Sequence, residues 1–258
     1  MNGPATSAIR VQVDGAIGRM TLARPERLNA LDRATLEELA LAAEWLDSQP
    51  DVKVVIVTGQ GSTFSSGFDL TDETWSELGS LEQSAVVGRR MVEAVGGMRA
   101  VTLASLRGHC VGGGVVLASA CDLRFAARSS RFRIPEVDLG VPLLWTGIPR
   151  IVRELGPSVT KELVMSGRQF DAHEGCVLRF INRVVADEEL DGAVDAFAAE
   201  LAAKPAFVHH TTKRQVDQAA PPVPDVDSGV GGDVALFATA RADPECQATA
   251  AEYQRQFG

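Results

Sequence analysis

Apolar and polar positions follow two different periods along the chain. Ile9–Val13 and Ala16–Leu22 alternate around Asp14-Gly15. A period of two marks a half-buried strand and Asp-Gly suits a type I′ turn, so a β-hairpin is predicted. The spacing then changes. Leu36, Leu39, Ala43 and Leu46 recur at helical intervals, and Asp32 can cap a helix running through Asp47. Val52–Thr58 is largely apolar, which predicts a strand buried on both faces. Gly59–Leu70 reads as a loop, and a helix is expected within Leu81–Gly97.

Val101–Leu106 is a second extended apolar run. It feeds into Gly112-Gly113-Gly114, from which a small-residue, helix-like run, Val115–Ala120, departs. Short strands are expected at Leu123–Ala126, Arg131–Ile134 and Ile181–Val185. Helices are expected at Leu143–Leu155, Val159–Ser166, Ala172–Cys176 and Glu188–Ala203. Strands and helices alternate up to residue 203, which argues for an α/β core. Beyond it the character changes. Phe207–Gln218 is a helical candidate, and Ala219–Gly232, rich in Pro, Gly and Asp, reads as a linker or flexible loop. A last helical stretch, about Asp233–Phe257, is expected to be interrupted near Pro244. The chain thus divides into a core, 1–204, and a C-terminal helical region, 205–258.

Composition narrows the functional classes. The 258 residues are 45% hydrophobic with a net charge of −9, which argues against nucleic acid or an anionic membrane as the main partner. No apolar run approaches the length of a membrane span, and the short polar N-terminus has no apolar leader segment. Cys110, Cys121, Cys176 and Cys246 show neither C-x-x-C nor metal-ligand spacing. A reduced, cytoplasmic chain with buried thiols is the expectation.

Candidate chemistry centres on the glycine triplet. Glycine allows close backbone approach, and a helix N-terminus offers spare N–H donors at its positive end. The junction can therefore cradle a phosphate or a developing oxyanion, or it can be a tight strand-to-helix turn. Other signals are weaker. Gly59-Gln60-Gly61 follows a strand, but Phe64 stands where a dinucleotide fingerprint needs its third glycine. No G-x-S-x-G elbow is present. His109 lies beside the glycines without an evident acid partner, and His209-His210 lacks a further residue at metal-ligand spacing. Glu136 follows Pro135 within the apolar run Ile134–Val137. Such a carboxylate can be a proton shuttle with a raised pKa, or the partner of Arg131 or Arg133 in a salt bridge.

Four motifs in order then resemble one family. Arg24-Pro25-Glu26-Arg27-Leu28-Asn29-Ala30-Leu31 resembles its CoA-gripping loop, and Phe64–Leu70 its F-x-x-G-x-D-L loop. Gly108–Gly114 with Cys121-Asp122 resembles its glycine junction, and Phe132–Gly140 its F-x-x-P-E-x-x-x-G segment. The chain is identified by resemblance as a crotonase, or enoyl-CoA hydratase/isomerase. The resemblance implies a spiral of β-β-α units with a C-terminal helical region that mediates trimers, often stacked as hexamers. It implies an acyl-CoA thioester whose oxygen is held by the main-chain N–H groups of Phe68 and Gly113. Arg27, Leu28 and Ala30 would approach the CoA, and Ser66, Asp69 and Leu70 would complete the thioester loop. Leu144 and Trp145 would line the acyl pocket. No metal or redox cofactor is implied, since coenzyme A is part of the substrate.

Departures from the family pattern bear on the reaction. Hydratases of the family carry two glutamates; the second matches Glu136, but Val116 stands where the first would be. Leu144 stands where dienoyl-CoA isomerases have a second acid. One glutamate with bulky apolar residues after it is the pattern of the Δ3,Δ2-enoyl-CoA isomerases. Glu136 would then carry a proton from C2 to C4 of a 3-enoyl-CoA. A hydratase using Glu136 alone, or with Asp138, is the first alternative. An acyl-CoA-binding protein without turnover is the second.

Overall fold

The hairpin forms as the alternation predicts. In a computed structural model that describes residues 3–69, 78–220 and 230–257, β1 (Ile9–Asp14) pairs antiparallel with β2 (Ile17–Leu22), Ile9 opposite Leu22 and Asp14 opposite Ile17. The turn is therefore Gly15-Ala16, with positive φ at Gly15 alone, and not the type I′ turn expected at Asp14-Gly15, because Asp14 still belongs to the strand. Helix α1 (Arg33–Asp47) starts where expected, with the Asp32 side chain accepting the Thr35 N–H. It returns the chain to β3 (Val54–Gly59), which lies parallel to β2. Helix α2 (Leu78–Gly96) and β4 (Val101–Leu106) repeat that crossover.

The two apolar strands, β3 and β4, sit at the centre of a six-stranded sheet. It is completed by β6 (Leu123–Ala127) and β9 (Arg183–Val185), in the order β1-β2-β3-β4-β6-β9. Both faces of β3 are buried because each packs on a different layer. Val55 and Val57 join the main core with α1 and α2, while Val54 and Ile56 face α6 (Leu190–Ala202) through Leu190, Val194 and Ala198.

A second, three-stranded sheet runs β5 (His109–Val111), β7 (Arg131–Arg133), β8 (Phe170–Asp171). The pairs β4–β5 and β6–β7 each give one strand to each sheet and are followed by a helix, α3 (Gly113–Ala120) or α4 (Gly147–Ser166). This winding is the expected α/β spiral of β-β-α units. Ser65 bridges Cys110, so the preceding loop also reaches the small sheet. β5 and β8 were not expected, because two or three residues are too few for a period to show.

Two helical expectations are corrected. The helix expected from Leu143 begins at Gly147, because Trp145 and Thr146 take left-handed φ of 61° and 54°. It then runs to Ser166 with a break at Gly156, before Pro157. Of the predicted linker, 221–229 lie outside the described residues, whereas Val230–Gly232 form the first turn of α8 (Val230–Ala242). Asp243-Pro244 separates α8 from α9 (Pro244–Phe257), the interruption expected there. The remaining helices are α5 (Ala172–Val177) and α7 (Ala206–Ala219). No helix of the described residues is long and apolar enough to cross a membrane.

Arg124 locks α3 in place from its far end. Its guanidinium is fully buried, donates to the carbonyls of Cys121 at 2.7 Å, Ala118 at 3.3 Å and Phe180 at 2.5 Å, and pairs with Glu154. It satisfies carbonyls that a helix C-terminus leaves open and puts positive charge at the negative end of the dipole. Replacing Arg124 by Met should lower the unfolding free energy by about 3 kcal/mol in urea titration, since carbonyls and a carboxylate lose their donor. An unchanged midpoint would contradict this role.

Candidate active site

Two loops are stitched together before they meet the glycine junction. Asn29, at φ 54° and buried, does most of the stitching. Its Oδ1 accepts the Arg24 N–H at 3.0 Å, and its Nδ2 donates to the carbonyls of Gln60 at 3.0 Å and Thr63 at 2.7 Å. The Ser65 hydroxyl donates to the Asn29 carbonyl at 2.8 Å and accepts the Gly67 N–H at 3.1 Å. The Ser66 N–H donates to Leu28 O, Leu31 N–H to Gly67 O and Asp69 N–H to Leu31 O. Successive amides of an extended segment point to opposite sides. With the Asp69 amide on Leu31, the Phe68 amide is directed the other way.

That other side is the glycine junction. Gly67, at φ +88°, lies so near β5 that a Cβ on it would stand 2.6 Å from Val111 O and 3.4 Å from Gly113 N. Gly112 adopts φ 49° and ψ −115°, a conformation that suits glycine alone, and donates its N–H to Arg133 O at 2.9 Å. Gly113 opens α3, so its N–H has no acceptor within the helix. The structure thereby brings the Phe68 segment against the Gly113 amide.

Glu136 completes the group. It begins a short 3-10 turn, Glu136–Leu139, that closes on Gly140 at φ 66°. Its Oε1 is 2.5 Å from where a Gly112 Cβ would be, so the carboxyl lies directly over the glycine junction. Oε2 is buried without a hydrogen-bond partner. The salt bridge that the sequence left open does not form. Arg133 instead pairs with Asp138 at 2.6 Å, and Arg131 donates to the Ser129 and Ser130 carbonyls. Burial pushes the Glu136 carboxyl up to about 7, opposed only by a hydrogen bond from its own backbone. The same pairing engages Asp138, the weaker candidate for a second acid.

The apolar wall comes from α3 and the turn before α4. Val116 is fully buried and packs near Gly147 beside Leu143. Leu144 is half-buried against the main core, and Trp145 is buried. The indole lies over Gly113, where a Cβ would collide with its Cζ3, and its ring centroid is 6.4 Å from that of Phe68. Trp145 N–H donates to the Asp233 carboxylate of α8 at 2.8 Å. Burial raises the Asp233 pKa, while the amides of Trp145 and Thr146 hold it down.

The remaining expected site residues divide. Arg27 and Leu28 are exposed on the rim of the first loop, Ala30 is buried behind them, and Ser66 is half-buried beside Leu28. The Asp69 side chain is buried and pairs with Arg24 at 3.2 Å, as does Asp32 at 2.7 Å, so it ties the two loops together. Leu70 lies outside the described residues. Gly67 was marked only as the glycine of the F-x-x-G-x-D-L loop, Asn29 only as a member of the first loop, and Asp233 not at all as a site residue. Asn29 carried one signal, an asparagine where the chain turns, which tolerates left-handed backbone. Asp122 is structural: it accepts the Thr102 N–H at 2.7 Å and pairs with Lys213.

Comparison with known proteins agrees with this geometry. A family model described as enoyl-CoA hydratase/isomerase matches residues 12–253. The "Probable enoyl-CoA hydratase echA8" of Mycobacterium tuberculosis is 32% identical over 82% of this chain and 81% of its own. A crystal structure of an enoyl-CoA hydratase/carnithine racemase from Magnetospirillum magneticum superposes with a TM-score of 0.81 at 31% identity, over 85% of this chain and 84% of that one. A Thermobifida fusca structure solved in complex with acetoacetyl-CoA gives 0.76 at 32% identity, over 91% and 93%. The chain belongs to the enoyl-CoA hydratase/isomerase, or crotonase, family.

The buried carboxyl has a stability signature. Its pKa is 4.5 in the open chain and about 7 in the fold, so the folded state binds the proton more tightly. Stability linked to Glu136 is then greatest below pH 4.5 and declines as pH rises to 7, by on the order of 3 kcal/mol. Glu136→Gln should raise the melting temperature at pH 8 and give a smaller gain at pH 5. A pH-independent difference between the two proteins would refute the burial of the charge.

Proposed function

We propose that the protein isomerises 3-enoyl-CoA thioesters to 2-enoyl-CoA with Glu136 as the only acid–base group. One observation carries the reading. Glu136 lies over the glycine junction with its Oε2 buried and without a hydrogen-bond partner, while Val116 stands where the resemblance puts the other glutamate and Arg133 engages Asp138. The thioester oxygen would sit between the Phe68 and Gly113 amides. The Glu136 carboxylate takes a proton from C2, and the electron pair moves onto the thioester oxygen. The same carboxyl then returns the proton to C4, leaving the double bond between C2 and C3. Two fixed amides stabilise the charge on oxygen, and losing one such donor costs about 10²–10³ in rate. Buried Val116, Leu143 and Trp145 support a dry wall where added water would compete. The acetoacetyl-CoA bound by the Thermobifida relative supports an acyl-CoA ligand here, with coenzyme A as part of the substrate.

Hydration of a 2-enoyl-CoA is the second reading, favoured by the names of the relatives. These include the mycobacterial hydratase and a mevalonyl-coenzyme A hydratase of Aspergillus fumigatus, 33% identical over 66% of this chain and 63% of its own. Separate assays with 3-enoyl-CoA and trans-2-enoyl-CoA decide between the two. Isomerisation without hydration is expected, with Glu136→Gln lowering kcat by about 10²–10⁴-fold. Efficient hydration by the unaltered protein would reject the single-base mechanism. Because the base works ionised, kcat/KM should rise with pH through about 7; a profile flat from pH 5 to 9 would exclude Glu136 as the base.

The chain is also read as a cytoplasmic homotrimer or hexamer. The exposed Phe207, Val208 and Val216 of α7 support contact between copies. Light scattering should give three or six times the mass of the chain, and a monomer at micromolar concentration would contradict it.

A further inference from the structure

Trp145 and Thr146 are two successive non-glycine residues at positive φ, a backbone that such residues rarely adopt. What holds them comes from 88 residues further along the chain. Asp233, 4% exposed on α8, accepts the Trp145 backbone N–H at 2.8 Å. Arg89 of α2 is the charged group facing it from the helix on which α8 packs.

The turn held in this way aims the indole. Its Cζ3 and Cη2 lie where a side chain on Gly113 would begin, and its Nε1 and Cδ1 where one on Gly88 would. The ring therefore fills the space between α2 and α3. It rests on the residue whose amide opens α3 and is tilted at 47° against Phe68.

We infer that Asp233 is a positioning residue for the thioester-oxygen site. Its carboxylate fixes the Trp145–Thr146 turn, the turn seats the indole between Gly88 and Gly113, and the indole sets the first turn of α3 against Phe68. The inference rests on the proposed role of the Phe68 and Gly113 amides. It makes α8, outside the spiral core, part of what orients the donors.

The test uses Asp233→Ala, which removes the acceptor, and Asp233→Asn, which keeps an accepting oxygen without charge. With Trp45 and Trp75 replaced by Phe, Trp145 is the only indole left, and its emission reports the turn whether or not substrate is turned over. In Asp233→Ala the emission should shift to the red. Its kcat on 3-enoyl-CoA should fall at least tenfold, with KM changed less than threefold. Asp233→Asn should restore both to within about threefold of the parent. Unaltered emission in Asp233→Ala overturns the inference. So does a shifted emission with unaltered kcat, which would mean that the turn moves without moving the donors. A lower melting temperature with kcat and emission intact would also overturn it, as a role in folding alone. Absence of turnover in the parent counts against the proposed reaction; the emission of the two variants then decides whether Asp233 holds the turn.

Discussion

Everything at the site depends on how closely three different elements approach the start of α3. The glycine triplet is not simply flexible: each position has its space taken by another part of the molecule. The Glu136 carboxyl lies over Gly112, the Trp145 indole over Gly113, and Ser65 within 3.0 Å of where a Gly114 Cβ would be. A methyl group at any of the three would displace a buried carboxyl, an indole or a loop. The loop is pressed in equally from its own side, since Gly67 touches the Val111 carbonyl. Backbone meets backbone here, and only glycine permits it.

Charge is arranged with the same economy. In the proposed reaction negative charge gathers at the positive end of α3, and Arg124 stands at its negative end. Glu136 is left without a cation because Arg133 is held by Asp138 and the Gly167 carbonyl. An arginine on Glu136 would keep the carboxyl ionised at low pH and make it a poor proton carrier. Burial alone instead sets it near neutrality, where it can give and take a proton at little cost.

The parts of this legible in the sequence were those decided locally. The alternation on either side of Gly15 announces the hairpin, although the turn falls one residue later than Asp14-Gly15; Asp32 caps α1, and the unbroken apolar run of β3 announces burial on both faces. The glycines and Glu136 were visible as chemistry. What escaped was decided at a distance. Whether Arg133 would choose Glu136 or Asp138 depends on the 3-10 turn between them, which no period reveals. The residues before α4 looked helical because Leu143, Leu144 and Trp145 are apolar, yet Trp145 and Thr146 make a left-handed turn whose first amide bonds Asp233, far along the chain. That Asp69 would pair with Arg24, whose backbone Asn29 holds alongside, was also decided by the meeting of two loops.

Gly140, at the end of the Glu136 turn, lies against the Cys246 carbonyl, so α9 packs on that turn while α8 bonds the turn that carries Trp145. Both helices lie outside the two sheets, and α8 also packs on α2. A change in either can thus be felt beside the glycine junction while every strand of both sheets is left untouched.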